Sequence, residues 1–147
     1  MATVKQQSEL LLKMHTLYKS IREFVPEEFT GHKKIENAPY MNLAVEVFFK
    51  KRFHDKPYTV LSISHYYEQN WDIMYDPDIE FALFDKQEIA YPLTYRQDSL
   101  WLHHETCIIV DGDVKCANRL QFIELVRFST KWMKNLKAQG FLSLATK

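Results

Sequence analysis

The segment SISHYYEQNWDIMYDPDIEF, residues 62–81, is the part of the chain around which the predicted fold is arranged. Its first half alternates with a period of two, which is typical of a β-strand. Gln69-Asn70 then predicts a hairpin turn, because asparagine tolerates a positive φ. The chain returns as a strand over Trp71–Phe84, which the proline of Asp76-Pro77 interrupts. The segment therefore predicts an antiparallel hairpin inside a larger sheet.

Further strands with turn-length connections flank this hairpin. The pattern predicts strands at Met41–Phe49, Tyr58–Glu68, Trp71–Phe84, Ile89–Arg96, Leu100–Val110 and Asp113–Cys116. Pro92 predicts an edge position or a bulge, and Asp111-Gly112 predicts a type I′ turn. Glu27–Ala38 is expected to be an ordered loop, and Lys50–Pro57 a basic turn. The connections are too short for βαβ crossovers, so the pairing is expected to be antiparallel.

Helices are predicted at both ends of the chain. Leu10, Met14, Leu17 and Ile21 recur at helical spacing within a helix over about residues 3–24. Asn118 is a predicted N-cap for a helix over about 118–139, and Gly140 suits the position that follows it. The expected fold class is α+β, with an antiparallel sheet of five to six strands over about 41–116 flanked by the N- and C-terminal helices. We expect residues 1–147 to form a single domain.

Composition bounds the function. The 147 residues carry 19 basic and 19 acidic side chains, a balance that argues against a dedicated nucleic-acid binder. With three glycines and no GxGxxG or GxxxxGK pattern, no cofactor is expected. The N-terminus lacks the apolar run of a signal peptide, and no stretch approaches about 18 apolar residues. We therefore expect a cytoplasmic protein without membrane contact.

The two cysteines are related by the predicted hairpin. If Asp111-Gly112 is a two-residue loop, Val110 pairs with Asp113 and Cys107 lies opposite Cys116. This geometry permits a cross-strand disulfide. Two reduced thiols are the favoured interpretation for a cytoplasmic protein.

Acidic residues on the return strand offer one enzymatic hypothesis. Asp76, Asp78 and Glu80 alternate, so they could share a face and bind a divalent ion or exchange protons. Pro77-Asp78 together with Asp113-Val114-Lys115 fits the short PD-(D/E)xK nuclease pattern, whose lysine orients or activates water. If the protein is an enzyme, the candidate catalytic residues are Asp76, Asp78, His65 and Lys115. The favoured interpretation is a solvated acidic face with Ile79, Phe81 and Leu83 turned inward.

Two smaller hypotheses concern histidine and the basic turn. His65, His103 and Glu105 have the residue types of a two-histidine, one-carboxylate metal site, although a hydrogen-bonded polar patch is the favoured interpretation and no metal is expected. Phe48–Phe53 combines aromatic residues with Lys50, Lys51 and Arg52, a composition that could stack and hold single-stranded nucleic acid.

The aromatic and polar residues around the hairpin favour a protein-binding surface, because tyrosine and tryptophan are enriched at interface hot spots. The expected partner is a protein, and Arg96 is the expected ion-pair partner of the acidic group. The predicted binding surface comprises His65, Tyr67, Glu68, Asn70, Asp72, Asp76, Tyr95, Arg96, Gln97 and Asp98.

Four sequence features together carry a family resemblance. They are HYYEQN at His65–Asn70, the D-x-M-x-DP-x-x-EF pattern at 72–81, YRQD at Tyr95–Asp98 and NLKAQGF at Asn135–Phe141. Over about residues 40–141 the chain resembles a family of small bacterial proteins of unknown function, often encoded on conjugative or other mobile elements. The resemblance supplies no activity, and the expected function is that of a non-enzymatic interaction or accessory protein of a mobile element. Relatives often place glycine after the asparagine of HYYEQN, whereas Trp71 stands there in this chain, which argues against a tight Asn-Gly type of turn.

Overall fold

The computed structural model describes residues 3–146. Helix α1 (Val4–Phe24) begins at a capping box, in which the Thr3 hydroxyl accepts from the Gln6 N–H and the Gln6 side chain accepts from the Thr3 N–H. Helix α2 (Arg119–Ala138) begins where the Asn118 side chain accepts from the Gln121 N–H, and helix α3 is Phe141–Ala145. No helix within 3–146 is long and apolar enough to span a bilayer.

Eight strands lie between α1 and α2. They are β1 Gly31–Ile35, β2 Asn42–Phe53, β3 Lys56–Gln69, β4 Asp72–Phe84, β5 Ile89–Gln97, β6 Leu102–Glu105, β7 Cys107–Val110 and β8 Asp113–Cys116. Strands β1 to β6 form one antiparallel sheet in sequential order, and β7 pairs only with β8. The α+β class, the antiparallel sheet and the flanking helices are confirmed.

Three strand predictions are wrong in detail. The expected loop before β2 contains β1, which the alternation did not reveal because only Ile35 of this edge strand is buried. The predicted basic turn is mostly strand, and only His54 and Asp55 separate β2 from β3. The predicted strand Leu100–Val110 is a 3₁₀ turn (Asp98–Leu100) followed by β6 and β7, because the chain leaves the main sheet at Thr106.

One face of the sheet, the helix face, carries the main hydrophobic core. Ile63 pairs with Val45 on β2 and with Ile79 on β4, and Leu61 pairs with Phe81. These side chains are fully buried against Leu17, Ile21, Met133, Leu136 and Phe141 of the helices. Burying such large apolar side chains stabilises a fold by about 1.5–3 kcal/mol each. The prediction that Ile79, Phe81 and Leu83 turn inward is confirmed.

Bulges shift the register of the long strands. Glu80 pairs with Thr94 and the next residue, Phe81, pairs with Pro92, so Leu93 of β5 has no partner on β4. This extra residue confirms the bulge predicted from Pro92. A second bulge lies in β4, where Tyr75 pairs with Tyr66 but Asp78 pairs with Ser64. Three steps along β4 therefore match two steps along β3, so β4 continues through Asp76-Pro77 instead of ending there.

The hairpin of β7 and β8 packs across one end of the sheet, away from the β3–β4 turn. Gly112 lies at a positive φ of 76° in its turn, and a side chain there would overlap the Phe53 ring. Cys107 pairs with Cys116 as the sequence predicts, but the sulfurs form a disulfide. The favoured interpretation of two free thiols is therefore wrong, since a directly opposed antiparallel pair already brings the cysteines within bonding range.

Candidate interaction surface

Two turns at the same end of the sheet expose tryptophan. Gln69 pairs with Asp72, so the β3–β4 loop is Asn70-Trp71 rather than Gln69-Asn70, with φ of 52° and 72°. Trp101 follows the 3₁₀ turn between β5 and β6 at a φ of 56°. We call Asn70–Asp72 and Asp98–Leu102 together the tryptophan end of the sheet.

Both tryptophans stand in backbone conformations that disfavour them. The left-handed region costs a residue with a Cβ about 1–2 kcal/mol, and glycine or asparagine normally occupies it in two-residue hairpin loops. Trp71 and Trp101 are 96% and 93% exposed, so contacts within the fold do not offset this strain. Such strain clusters at functional positions in proteins, which makes both tryptophans candidates for a functional role.

Further apolar side chains are exposed near both tryptophans. Ile73 follows the first turn on β4, Leu100 precedes Trp101 and Leu102 follows it, and all three are exposed. Glu68 and Asp72 are exposed beside Trp71 and add negative charge. The surface is therefore apolar and acidic together.

Asp98 fixes the turn that carries Trp101. Its carboxylate accepts hydrogen bonds from Arg96 Nε at 2.7 Å and from the Tyr75 N–H of β4 at 2.8 Å. Burial raises the pKa of Asp98, but the bonds from Arg96 and Tyr75 outweigh burial and hold this pKa below its ordinary value. Arg96 thus forms an ion pair with Asp98, two residues along its own strand, and not with the acidic residues of β4.

A second set of bonds supports the same turn. The Ser99 hydroxyl donates to Asp76 Oδ2 at 2.8 Å, which joins the 3₁₀ turn to β4. The Tyr95 hydroxyl donates to Gln97 Oε1 at 2.7 Å. Tyr95, Arg96, Gln97 and Asp98 were predicted to form a binding surface, and their polar groups here are engaged within the protein. They hold the turn in place, while the tryptophans face solvent.

His65 lies apart from this surface, on the helix face. Its ring packs edge-on to Trp132 and Phe141 at centroid distances of 5.6 and 5.5 Å. Nδ1 lies 3.1 Å from the Met41 carbonyl oxygen, to which a protonated Nδ1 donates. Burial lowers the pKa of His65, with backbone hydrogen bonds opposing it in part. The side chain thus serves the core, and Tyr67 is half-buried on β3.

The β4 bulge separates the acids that the nuclease hypothesis needs. Tyr75 pairs with Tyr66 and Asp78 pairs with Ser64, and these two β3 residues share one face of the sheet. Tyr75 and Asp78 therefore lie on that face, whereas Asp76, which follows Tyr75, is turned to the opposite face. Lys115 lies beside Phe84, at the end of the sheet away from the β3–β4 turn. It belongs to the hairpin of β7 and β8, in which Asp113 forms an ion pair with Lys56. Asp76 shares the helix face with His65, whereas Asp78 and Lys115 lie elsewhere, so the four candidate catalytic residues do not converge.

Asp78 is nevertheless an unusual carboxylate. Its cross-strand neighbour Arg96 is turned toward Asp98, and Asp78 Oδ1 is buried without a hydrogen-bond partner among the described residues. Burial, reinforced by the negative charge of Glu80, raises the pKa of Asp78 to about 6. The predicted solvated acidic face is therefore only partly solvated, because neighbouring strands enclose Asp78.

Replacing Asp78 with asparagine is expected to stabilise the protein above pH 6. The folded-state pKa of about 6 exceeds the ordinary value of 3.8, so stability falls as pH rises from about 4 to 6. The shift corresponds to about 1–3 kcal/mol above pH 6, which Asp78→Asn should recover at pH 8 but not at pH 3.5. Urea unfolding at both pH values measures this. Exposed Asp72→Asn is the matched control, and an equal gain from it would contradict the explanation.

The other candidate ligands are also dispersed. On β6, His103 pairs with Arg96 and Glu105 pairs with Thr94. These pairs lie on the face of the sheet opposite to His65. Within residues 3–146, no group of three or more histidine, cysteine or acidic side chains could hold a metal ion. The structure does not assemble the two-histidine, one-carboxylate site.

The basic-aromatic segment Phe48–Phe53 runs along β2. Alternation places Lys50 on one face and Lys51 on the other, where Lys51 Nζ lies 4.7 Å from the centroid of the Phe49 ring. Lys50 Nζ donates to the Glu27 carbonyl oxygen. The basic side chains do not line one continuous groove, which single-stranded nucleic acid would require.

Comparison with known families identifies the class of protein. Residues 8–142 match the family described as Domain of unknown function (DUF6908), so the chain belongs to this family. The match confirms the expectation of an uncharacterised family and extends beyond residues 40–141 to include most of α1. No curated protein and no solved structure matches the chain.

Neither tryptophan was predicted as a site residue. Trp71 was expected to begin the return strand and to argue against a tight turn, yet it lies in a tight two-residue loop, and Trp101 was expected inside a strand. The sequence does contain a signal for Trp71. The position that follows asparagine in a hairpin loop usually requires a positive φ, which a bulky side chain disfavours, so tryptophan at this position brings no benefit to the fold.

Proposed function

We propose that this protein is a non-enzymatic accessory protein that binds a protein partner through the tryptophan end of the sheet. The observation that carries the proposal is the pair of strained, solvent-exposed tryptophans, Trp71 and Trp101. Tryptophan is the residue most enriched among interface hot spots, where removing one side chain costs 2 kcal/mol or more.

The surrounding residues support a protein partner with a particular chemistry. Exposed Ile73, Leu100 and Leu102 extend the apolar area, and Glu68 and Asp72 border it with carboxylates. Such a surface complements apolar pockets rimmed by lysine or arginine. The bonds of Asp98 hold the turn with Trp101 before binding, which reduces the ordering cost of association.

Site-specific photocrosslinking in cells tests this proposal. A benzophenone amino acid at position 71 or 101 should trap one and the same partner. The matched control is position 48, because Phe48 is also an exposed aromatic residue. It lies on β2 beside Val60 and Leu61 of β3, which are about ten residues away from the β3–β4 turn. Adducts that are absent, or identical from all three positions, would contradict the proposal.

Trp71→Gly is expected to separate binding from stability. Glycine relieves the positive φ of 72°, so the free energy of unfolding should rise by about 0.5–1 kcal/mol after the entropy cost of glycine. Affinity for the crosslinked partner should fall about 30-fold, as expected for a hot spot. Urea unfolding and calorimetric titration measure the two effects. A variant that is less stable yet binds normally would show that Trp71 serves the fold.

The genetic setting and the compartment are also proposals. The HYYEQN and YRQD motifs support assignment to a bacterial mobile element, and sequencing the flanking genes tests it. The proposed compartment is the cytoplasm, whereas the Cys107–Cys116 disulfide is more typical of an oxidising compartment. Alkylating free thiols in intact cells before lysis distinguishes these locations, since a reduced pair is expected only in the cytoplasm.

A further inference from the structure

A separate cavity lies between α2 and the strands β5 and β6. Its volume is about 290 Å³, close to the lower limit of small-ligand pockets. It is lined by Tyr95, His104, Thr106, Gln121, Glu124, Leu125 and Phe128. From these residues we infer that the cavity binds a protonated amine attached to an apolar group.

Thr106 supplies an unused polar group to this cavity. The residue is 2% exposed, and its hydroxyl has no hydrogen-bond partner among residues 3–146. Its backbone is fully engaged, since the N–H donates to the Leu93 carbonyl and the carbonyl accepts from the Ala117 N–H. A buried hydroxyl without a partner costs about 1–3 kcal/mol, and a ligand recovers this cost only if its donor group enters deeply enough to reach the enclosed oxygen.

Aromatic rings form one wall. Tyr95 and Phe128 meet edge-to-face with centroids 5.6 Å apart, and Phe128 stacks on Trp132 at 6.5 Å. Because the Tyr95 hydroxyl is committed to Gln97, its ring contributes mainly an aromatic surface. Aromatic faces attract cations as well as apolar groups.

The charge of the lining favours a cation over an anion. Glu124 is exposed and forms no salt bridge with any described residue, and besides it the lining contains one histidine, His104, but neither lysine nor arginine. The Gln121 side chain adds a neutral amide. An ammonium group can therefore reach the carboxylate while its apolar body contacts Leu125 and the rings.

The ammonium group has two natural sources, a free small amine or a lysine side chain of another protein. Titrations monitored by two-dimensional NMR distinguish them by using phenethylamine and an N-acetyl-lysine methylamide. At least one of the two should bind with about millimolar affinity and shift the amide signals of Thr106, Glu124 and Phe128. The tighter of the two identifies the source. Phenethyl alcohol and phenylacetate should bind at least about ten times more weakly.

Glu124→Gln provides the decisive variant. It should weaken amine binding about tenfold and leave the weak binding of phenethyl alcohol unchanged, because only the amine loses a charge partner. The matched control is Glu28→Gln, which alters an exposed carboxylate on the loop after α1. The inference is overturned if phenylacetate binds as well as phenethylamine, if Glu124→Gln has no effect or if no probe shifts these signals. A Trp71→Gly, Trp101→Gly double variant should bind the amine normally, so failure here leaves the partner-binding proposal intact.

Discussion

Replacing Asp85 with alanine is expected to lower the free energy of unfolding by about 3–5 kcal/mol. Asp85 follows β4, and its Oδ1 accepts from Tyr18 Oη at 2.6 Å, from Arg22 Nη2 at 2.6 Å and from Arg22 Nε at 3.1 Å. The Arg22 and Asp85 side chains are only 11% and 23% exposed. Removing the carboxylate would leave a nearly buried guanidinium without its counter-charge.

The Asp85 cluster also fixes α1 on the sheet. Arg22 Nη1 donates to the Val25 carbonyl oxygen at 3.2 Å just after the helix ends. Burial, together with the bond to Asp85, raises the pKa of Tyr18 to about 12, so its hydroxyl remains a donor across the physiological range. The cluster thus ties the last turns of α1 to the connection between β4 and β5.

Two variants calibrate this prediction by urea unfolding. Asp113→Ala removes the ion pair with Lys56, in which the Lys56 side chain is 34% exposed and the Asp113 side chain is 65% exposed. This loss should cost less than about 1 kcal/mol. The double variant Arg22→Met, Asp85→Leu should lose much less than Asp85→Ala, because it buries no unpaired charge. If Asp85→Ala and Asp113→Ala each lower the free energy of unfolding by less than about 1 kcal/mol, the buried Asp85 ion pair stabilises the protein no more than the exposed one, and the explanation is wrong.

Phe141→Ala is the second substitution with a large expected effect, a loss of about 3–5 kcal/mol. Phe141 is fully buried at the start of α3, where its ring lies 5.5 Å from His65 and 6.0 Å from Tyr40. The truncation would leave a cavity between α3 and the sheet, and the cost includes both lost apolar contact and the unfilled volume. The exposed Phe48→Ala is the matched control and should cost under about 1 kcal/mol.

A pH titration adds a second measurement for Phe141. Burial lowers the pKa of His65, so the folded protein loses stability as pH falls below the ordinary histidine value of 6.5. Opening the core beside the ring admits water, and NMR titration should show the pKa of His65 moving up toward 6.5 in Phe141→Ala. An unchanged His65 pKa combined with an unchanged stability would mean that Phe141 does not enclose the ring.

The sequence was most informative where a local pattern has a single structural solution. The stripe of Leu17 and Ile21 predicts α1, and Asn118 together with Gly140 marks the limits of α2. Counting outward from Asp111-Gly112 predicts the pairing of Cys107 with Cys116. Periodicity, caps and turn residues act over a few positions, so they can be read from the chain alone.

The candidate surface was less predictable because it depends on which residues meet across strands. The β4 bulge turns Asp76 and Asp78 to opposite faces, and the packing of Trp132 and Phe141 encloses His65. The proline of Asp76-Pro77 marks an irregularity in the strand, but it does not show which faces the two acids take, and nothing local marks the enclosure of His65.

Local patterns in the chain are enough to predict the α+β class, the antiparallel pairing around residues 62–81 and the limits of both long helices. Tertiary packing is needed to place the turns of Trp71 and Trp101 at the same end of the sheet, to hold the Trp101 turn through Asp98, and to bury Thr106 beside Tyr95 and Phe128. The difference follows from the range of the interactions. Hydrophobic periodicity and turn chemistry act between neighbours in the chain, whereas exposure, strain and unpaired polar groups are defined only after distant strands and helices have packed.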